Sequence, residues 1–130
     1  DAKVQGLAEI HAWGTGRPRR EFLHSDDMAE GCVFLMNLPD EQYSRLLDAN
    51  GIVNLGTGID IEIRELAELI RHVVGYTGAI TWDASIPDGT ERKLLDISRM
   101  AALGWSPKIS LREGICSVYA HFEKGARQWA

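Results

Sequence analysis

The sequence predicts an α/β (α+β-like) fold, a small sheet of short strands covered by about four amphipathic helices. Three observations carry that reading. Short β-prone runs break into glycine turns, apolar stripes at helical spacing follow them, and the two patterns alternate along the chain. With 130 residues, 45% hydrophobic and 25% charged, the chain has the size and composition of one globular domain spanning 1–130.

Ile10-His11-Ala12-Trp13 reads as a strand running into Gly14-Thr15-Gly16, whose glycines permit positive φ. After Arg17-Pro18-Arg19-Arg20, the tripeptide Phe22-Leu23-His24 is expected as a short strand. Ser25-Asp26-Asp27 then offers an N-cap and two acids suited to a helix N-terminus. The helix runs from about Asp26 to Asn37, with Met28, Ala29, Cys32, Val33, Leu35 and Met36 near helical spacing and Pro39 past its end. The polar segment Pro39–Gly51 holds one extra helical turn around Tyr43–Leu47.

Ile52-Val53-Asn54-Leu55 is a β-branched run ending in Gly56-Thr57-Gly58, so a second strand breaks into a glycine turn. Ile63, Leu66, Ala67, Ile70, Val73 and Val74 form one apolar stripe, and Gly75 supplies the C-terminal cap. Ala79-Ile80-Thr81-Trp82 is a further strand, Pro87-Asp88-Gly89 a turn and Leu94-Leu95-Asp96 a short extended piece. A Ser98-capped helix over Arg99–Leu103 follows, closed by Gly104. Ser110 and Glu113 have capping-box spacing, and the final helix carries Leu111, Ile115, Val118, Tyr119 and Phe122 on one face. Four short strands make a thin sheet that leaves apolar helix faces short of partners.

Charge and composition exclude several function classes. The chain carries 14 basic and 19 acidic residues, a formal charge of −5, which is unsuited to non-specific nucleic-acid binding. No apolar run approaches the roughly 20 residues that span a bilayer. The N-terminus lacks the pattern of a signal peptide, so a cytoplasmic location is expected. Cys32 and Cys116 lie in apolar helical patterns and are expected to be buried. The four histidines, His11, His24, His72 and His121, show no metal-ligand spacing, and no metal site is expected.

Few residues offer chemistry of their own. Gly56-Thr57-Gly58 lies between strand and helix, as phosphate-cradling loops do, but the dinucleotide fingerprint needs a small residue where Ile61 stands, and a P-loop lysine is missing. A structural turn explains it better. Arg17, Arg19 and Arg20 form the one dense positive patch, fit either for phosphate oxygens or for a solvated surface. Trp13 can stack on a base or sugar, or can anchor a core. Asp88 reads as a turn-forming aspartate, with Arg92 and Lys93 as a second positive spot. No nucleophile–base arrangement is evident.

Several segments taken together are more specific. Trp13-Gly14-Thr15-Gly16, Arg19-Arg20-Glu21-Phe22-Leu23-His24, Asp26-Asp27-Met28-Ala29, Val53-Asn54-Leu55-Gly56-Thr57-Gly58, Ile63-Arg64-Glu65-Leu66-Ala67, Pro87-Asp88-Gly89-Thr90, Arg92-Lys93-Leu94-Leu95-Asp96 and Leu103-Gly104-Trp105 resemble the GDP-L-fucose synthases. These are sugar-nucleotide-modifying, extended short-chain dehydrogenases/reductases. The resemblance runs from about Ile10 to Phe122 and corresponds to the family's C-terminal, substrate-binding portion. It implies that intact relatives use NADPH to epimerise and reduce GDP-4-keto-6-deoxy-mannose to GDP-fucose. Because the catalytic Ser, Tyr, Lys and the dinucleotide-binding loop belong to an N-terminal Rossmann domain, this chain is expected to hold no cofactor and to be inactive alone.

Carried over position by position, the resemblance implies that Trp13, Arg20 and Asp88 contact the GDP-sugar, Arg20 at its diphosphate, with Lys93 a further contact. Ser25 stands where the family has an aliphatic residue. Glu62 replaces a small hydroxyl residue, weakening a cap worth ~1 kcal/mol. Apolar surface left without the Rossmann domain is expected to drive a homo-oligomer burying Met28, Val33, Met36 or the edge of the Val53 strand. The alternatives are a portion of another NDP-sugar epimerase or dehydratase, and an interaction or assembly module reusing the fold.

Overall fold

The computed structural model describes residues 1–46 and 52–126. Along them run α1 (Ala2–Gln5), β1 (Glu9–Trp13), β2 (Arg19–Glu21), α2 (Ser25–Met36), α3 (Asp40–Leu46), β3 (Asp60–Glu62), α4 (Ile63–Val74), β4 (Ala79–Asp83), β5 (Arg92–Lys93), α5 (Ser98–Ala102) and α6 (Leu111–Ala126). The α/β class is as the sequence predicts. Its strands, however, are shared between two small sheets, β1–β4 and β3–β2–β5, and the chain divides into two compact units.

The first unit comprises Asp1–Arg20, Ile61–Lys93 and the described residues from Arg112 on. In it β1 and β4 pair in parallel, from Glu9 opposite Ala79 to Trp13 opposite Asp83. Parallel neighbours need a crossover rather than a hairpin, and α4 lies between them in the chain. Its bounds follow the apolar stripe, and Gly75 ends it at φ 68°. Glu62 does not weaken the start of α4, contrary to expectation. It shares a capping box with Glu65, whose carboxylate accepts the Glu62 N–H at 3.1 Å.

The second unit comprises Glu21–Asp60 and Leu94–Leu111. Among its described residues the buried apolar side chains are Leu46, Met100 and Trp105. Gly31 lets α2 approach them, since a Cβ there would meet Leu55 at 2.6 Å and Trp105 at 3.0 Å. Asp27, 2% exposed, does more than favour a helix N-terminus: its two carboxylate oxygens accept the backbone N–H groups of Lys108 at 3.0 Å and Ile109 at 2.9 Å. A buried carboxylate is tolerable only with such donors.

Several local expectations give way to the search for backbone partners. Phe22–His24 is not a strand. The ladder lies earlier, because β5 offers Arg92 and Lys93 opposite Arg19 and Arg20. His24 instead caps α2, its Nδ1 accepting the Asp26 N–H at 3.2 Å, so Ser25 is the first helical residue rather than the cap. Ile52–Leu55 is also no strand, since β-branched residues make a strand only where a neighbouring backbone pairs with them. Here Asn54 Nδ2 donates to the Asp96 carbonyl at 3.1 Å and Arg99 Nη1 to the Ile52 carbonyl at 3.4 Å. No Val53 ladder edge is therefore on offer to a second copy.

Leu94–Asp96 lies outside β5 as well, and Asp96 Oδ1 accepts the Ser98 N–H at the start of α5. Cys32 and Cys116 are exposed, not buried. Cys32 lies on a helix whose Met28, Val33 and Met36 are exposed too. No described helix is long and apolar enough to cross a membrane.

Candidate functional site

Positive charge in the first unit is gathered by backbone pairing. Arg19 stands opposite Arg92 and Arg20 opposite Lys93 in the parallel β2–β5 ladder, anchored by the Arg19 N–H donating to the Glu91 carbonyl at 2.8 Å. Like charges directly opposite each other on a ladder are destabilising, so four cations in two registered pairs call for negative charge nearby. Glu62 supplies part of it, 3.5 Å from Arg19 and 2.6 Å from Arg64. The groove beside the ladder has a volume of about 450 Å³, and its lining residues include Arg17, Arg19, Arg64 and Arg92 together with Glu62, Asp88 and Glu91.

Arg20 is half-buried. Its Nη1 donates to the Arg19 carbonyl at 2.7 Å, and its Nη2 stands near Gly89, where a Cβ would lie 3.7 Å away. Lys93 is exposed. Asp88 borders the groove, but its role in the turn differs from the sequence reading. Pro87–Gly89 is irregular, and the Asp88 carboxylate reaches 73 residues back to take the Thr15 N–H at 2.8 Å and the Thr15 hydroxyl at 2.5 Å. The Thr15 hydroxyl, then its amide, hold the Asp88 carboxyl below the usual aspartate range, and the Arg17 charge adds to the effect. Trp13, the last residue of β1, is 77% exposed, so it anchors no core among the described residues.

The structure thus makes Arg20 and Lys93 neighbours and ties Asp88 to the turn after Trp13. Trp13, Arg20 and Lys93 do not themselves line the groove. Arg64, Glu62 and Thr15 carry no site signal in the sequence beyond, for Thr15, a hydroxyl between two glycines.

Gly56-Thr57-Gly58, the other turn with a claim on phosphate, is already occupied by a carboxylate of the protein. Glu21 accepts the N–H groups of Thr57 and Gly58 at 2.5 and 2.6 Å, the Thr57 hydroxyl at 3.1 Å and the Leu95 N–H at 2.9 Å. Partial burial alone would raise the Glu21 carboxyl, but hydrogen bonds from Leu95, Gly58 and Thr57 outweigh it and hold it below the usual glutamate range. A phosphate at this turn would lose those donors to Glu21 and meet its charge. Among the described residues no group of His, Cys, Asp and Glu could hold a metal ion.

A family model for the NAD dependent epimerase/dehydratase family matches residues 2–56. GDP-L-fucose synthase 1 of Arabidopsis thaliana is 51% identical over 124 residues, which make up 95% of this chain and 36% of that protein. GDP-L-fucose synthase of Escherichia coli (strain K12) is 46% identical over 94% of this chain and 38% of its own length. The chain spans about a third of the length of these relatives.

Two solved structures agree in fold. The GDP-mannoheptose C4 reductase of Campylobacter jejuni, with NADP bound, has a TM-score of 0.75 at 35% identity, over 88% of this chain and 35% of that one. A GDP-L-fucose synthetase of Naegleria fowleri bound to NADP has a TM-score of 0.81 at 20% identity, over 97% of this chain and 37% of that one. In the chain described here, the 56–58 turn does not fit the diphosphate of such a dinucleotide, because Glu21 fills it.

The Glu21 clamp has a definite pH dependence. Its folded pKa is lowered, so its stabilisation is present above the unfolded value of about 4.3 and is lost as pH falls through the folded one. Amide exchange at Thr57 and Gly58, corrected for intrinsic rates, is expected to lose protection below about pH 4. Glu21→Gln is expected to remove most of that acid step. An unchanged acid step in the variant contradicts the assignment.

Proposed function

We propose that this chain recognises a GDP-sugar, as the substrate-binding portion of a GDP-L-fucose-synthase-type epimerase-reductase. The reaction of the whole protein is the NADPH-dependent conversion of GDP-4-keto-6-deoxy-mannose to GDP-L-fucose. The single observation carrying the reading is the registered cation ladder, in which Arg20 and Lys93 stand opposite each other, with the Arg20 Nη1 donating to a backbone carbonyl and Lys93 exposed. A diphosphate satisfies both. The guanidinium takes two phosphate oxygens and the ammonium acts as a point charge.

The remaining proposed contacts have distinct roles. Trp13 offers an exposed ring to the base or hexose. Asp88 completes the set at the turn beside it. The names of the relatives, GDP-L-fucose synthases and a GDP-mannoheptose reductase, agree with a GDP-linked sugar as the ligand class. No step through NADP is assigned to the residues described here; their part is to bind and orient the substrate.

Calorimetry with GDP and GDP-fucose tests this reading. Saturable binding is expected, weaker for UDP and dTDP, and Arg20→Ala is expected to weaken it at least about tenfold, since hydrogen bonds to charged groups contribute roughly 1.5–3 kcal/mol. Absence of saturable heat at millimolar GDP contradicts it and favours an assembly role. Tighter binding of UDP or dTDP points to another NDP-sugar epimerase or dehydratase.

Self-association is the second part of the proposal. Met28, Val33 and Met36 on α2 are 42%, 56% and 83% exposed, and apolar side chains at that density on one helix favour burial against a second copy. Sedimentation at micromolar concentration is expected to show a dimer or higher oligomer that Met36→Glu shifts toward monomer. A monomeric wild-type chain contradicts this.

A further inference from the structure

Past the pair of Arg20 and Lys93, the β2–β5 ladder is continued by a side chain. β5 ends at Lys93, and Glu21 reaches the segment that follows, its Oε2 accepting the Leu95 N–H at 2.9 Å. Its Oε1 accepts the Thr57 and Gly58 N–H groups and the Thr57 hydroxyl. One carboxylate therefore ties the end of β2 to Leu95 with one oxygen and to the 56–58 turn with the other. The turn is shaped around it. Gly56 is buried, and a Cβ there would lie 2.5 Å from Glu21 Oε1 and 3.0 Å from its Cδ. Gly58 has a positive φ of 70°, but Gly56 is not among the glycines of that class. Room for the Glu21 carboxylate, not backbone conformation, is what requires glycine at 56. A further tie joins the same segments, Asn54 Nδ2 donating to the Asp96 carbonyl at 3.1 Å.

We infer that Glu21 is a positioning residue for the cation pair, holding Leu95 and the 56–58 turn to the end of β2 and so fixing the register that sets Arg20 opposite Lys93 for a diphosphate. The inference rests on the GDP-sugar reading above. Glu21 follows Arg20 directly and Leu95 lies two residues past Lys93, so the clamp closes the ladder just beyond the pair. A ladder of two residue pairs, each of like charge, has little to hold it by itself. At its other end the Arg19 N–H donates to the Glu91 carbonyl at 2.8 Å, and Glu21 is the second anchor. A register set before the ligand arrives avoids much of the ordering cost of binding.

The sign of the effect separates positioning from charge. A carboxylate one residue from Arg20 repels a diphosphate, so removal of its charge alone would tighten binding. Loss of the clamp weakens it instead. Glu21→Gln keeps the size of the side chain, but whichever way its amide is turned, the NH2 group meets backbone N–H donors and one of the two ties breaks. Gly56→Ala displaces the carboxylate and changes no charge.

Calorimetry with GDP, combined with amide exchange in the free protein, tests the inference. Glu21→Gln and Gly56→Ala are each expected to weaken GDP binding about tenfold, the scale of ordering two long side chains at binding. Both are expected to lose exchange protection at Leu95 and at Arg19, while the β1–β4 ladder keeps wild-type protection and reports that the variants are folded. The double variant is expected to bind no more weakly than the weaker single, since both remove one device. Unchanged or tighter GDP binding in Glu21→Gln overturns the inference, as do wild-type protection at Arg19 in that variant or additive losses in the double. If Glu21→Gln does not fold, Gly56→Ala decides by the same readings. If wild-type protein binds no GDP, the functional reading fails, and protection at Arg19 alone decides whether Glu21 holds the register: lost in both variants, the clamp stands.

Discussion

Cations paired with cations across a two-residue ladder are the constraint from which the rest of the site follows. The register that sets Arg19 against Arg92 and Arg20 against Lys93 gains one short ladder of backbone pairing at the cost of like-charge repulsion. Glu62 stands 3.5 Å from Arg19 at the start of α4, where it also belongs to the capping box. The proposed function sets a diphosphate against the second pair. A run of arginines in sequence is ordinary; their registration opposite other cations on a second strand is what supports the proposed binding role.

A second theme is how this chain treats glycine turns. The tripeptide Gly-Thr-Gly occurs at 14–16 and again at 56–58. In both places the threonine N–H and hydroxyl go to a carboxylate far along the chain, Asp88 for Thr15 and Glu21 for Thr57. An internal carboxylate occupies donors that an external phosphate would otherwise seek. The 56–58 turn is thereby a structural joint, while at 14–16 the same chemistry sits one residue from an exposed tryptophan.

Much of this was legible in the sequence where the physics is local. The stripe of Ile63 through Val74 and its Gly75 cap mark α4 without reference to anything distant, as do the runs that became β1 and β4. Long-range partners were not legible. Ile52–Leu55 has strand-like composition but no ladder, and Arg19–Glu21 has poor strand composition yet pairs, because β5 lies where it does. Asp27 and Asp88 looked like local helix and turn formers and proved to be tertiary hydrogen-bond acceptors. The resemblance picked out Trp13, Arg20, Asp88 and Lys93. Only the fold shows Arg20 and Lys93 to be ladder neighbours, and only the fold brings in Thr15.

The most direct test is a nuclear magnetic resonance titration of the chain with GDP, following arginine Nε and backbone amide signals. The account predicts saturable shifts at Arg19, Arg20, Arg92 and Lys93, with the amides of Thr57 and Gly58 unmoved. Shifts confined to Thr57 and Gly58, with the β2–β5 ladder silent, would contradict it.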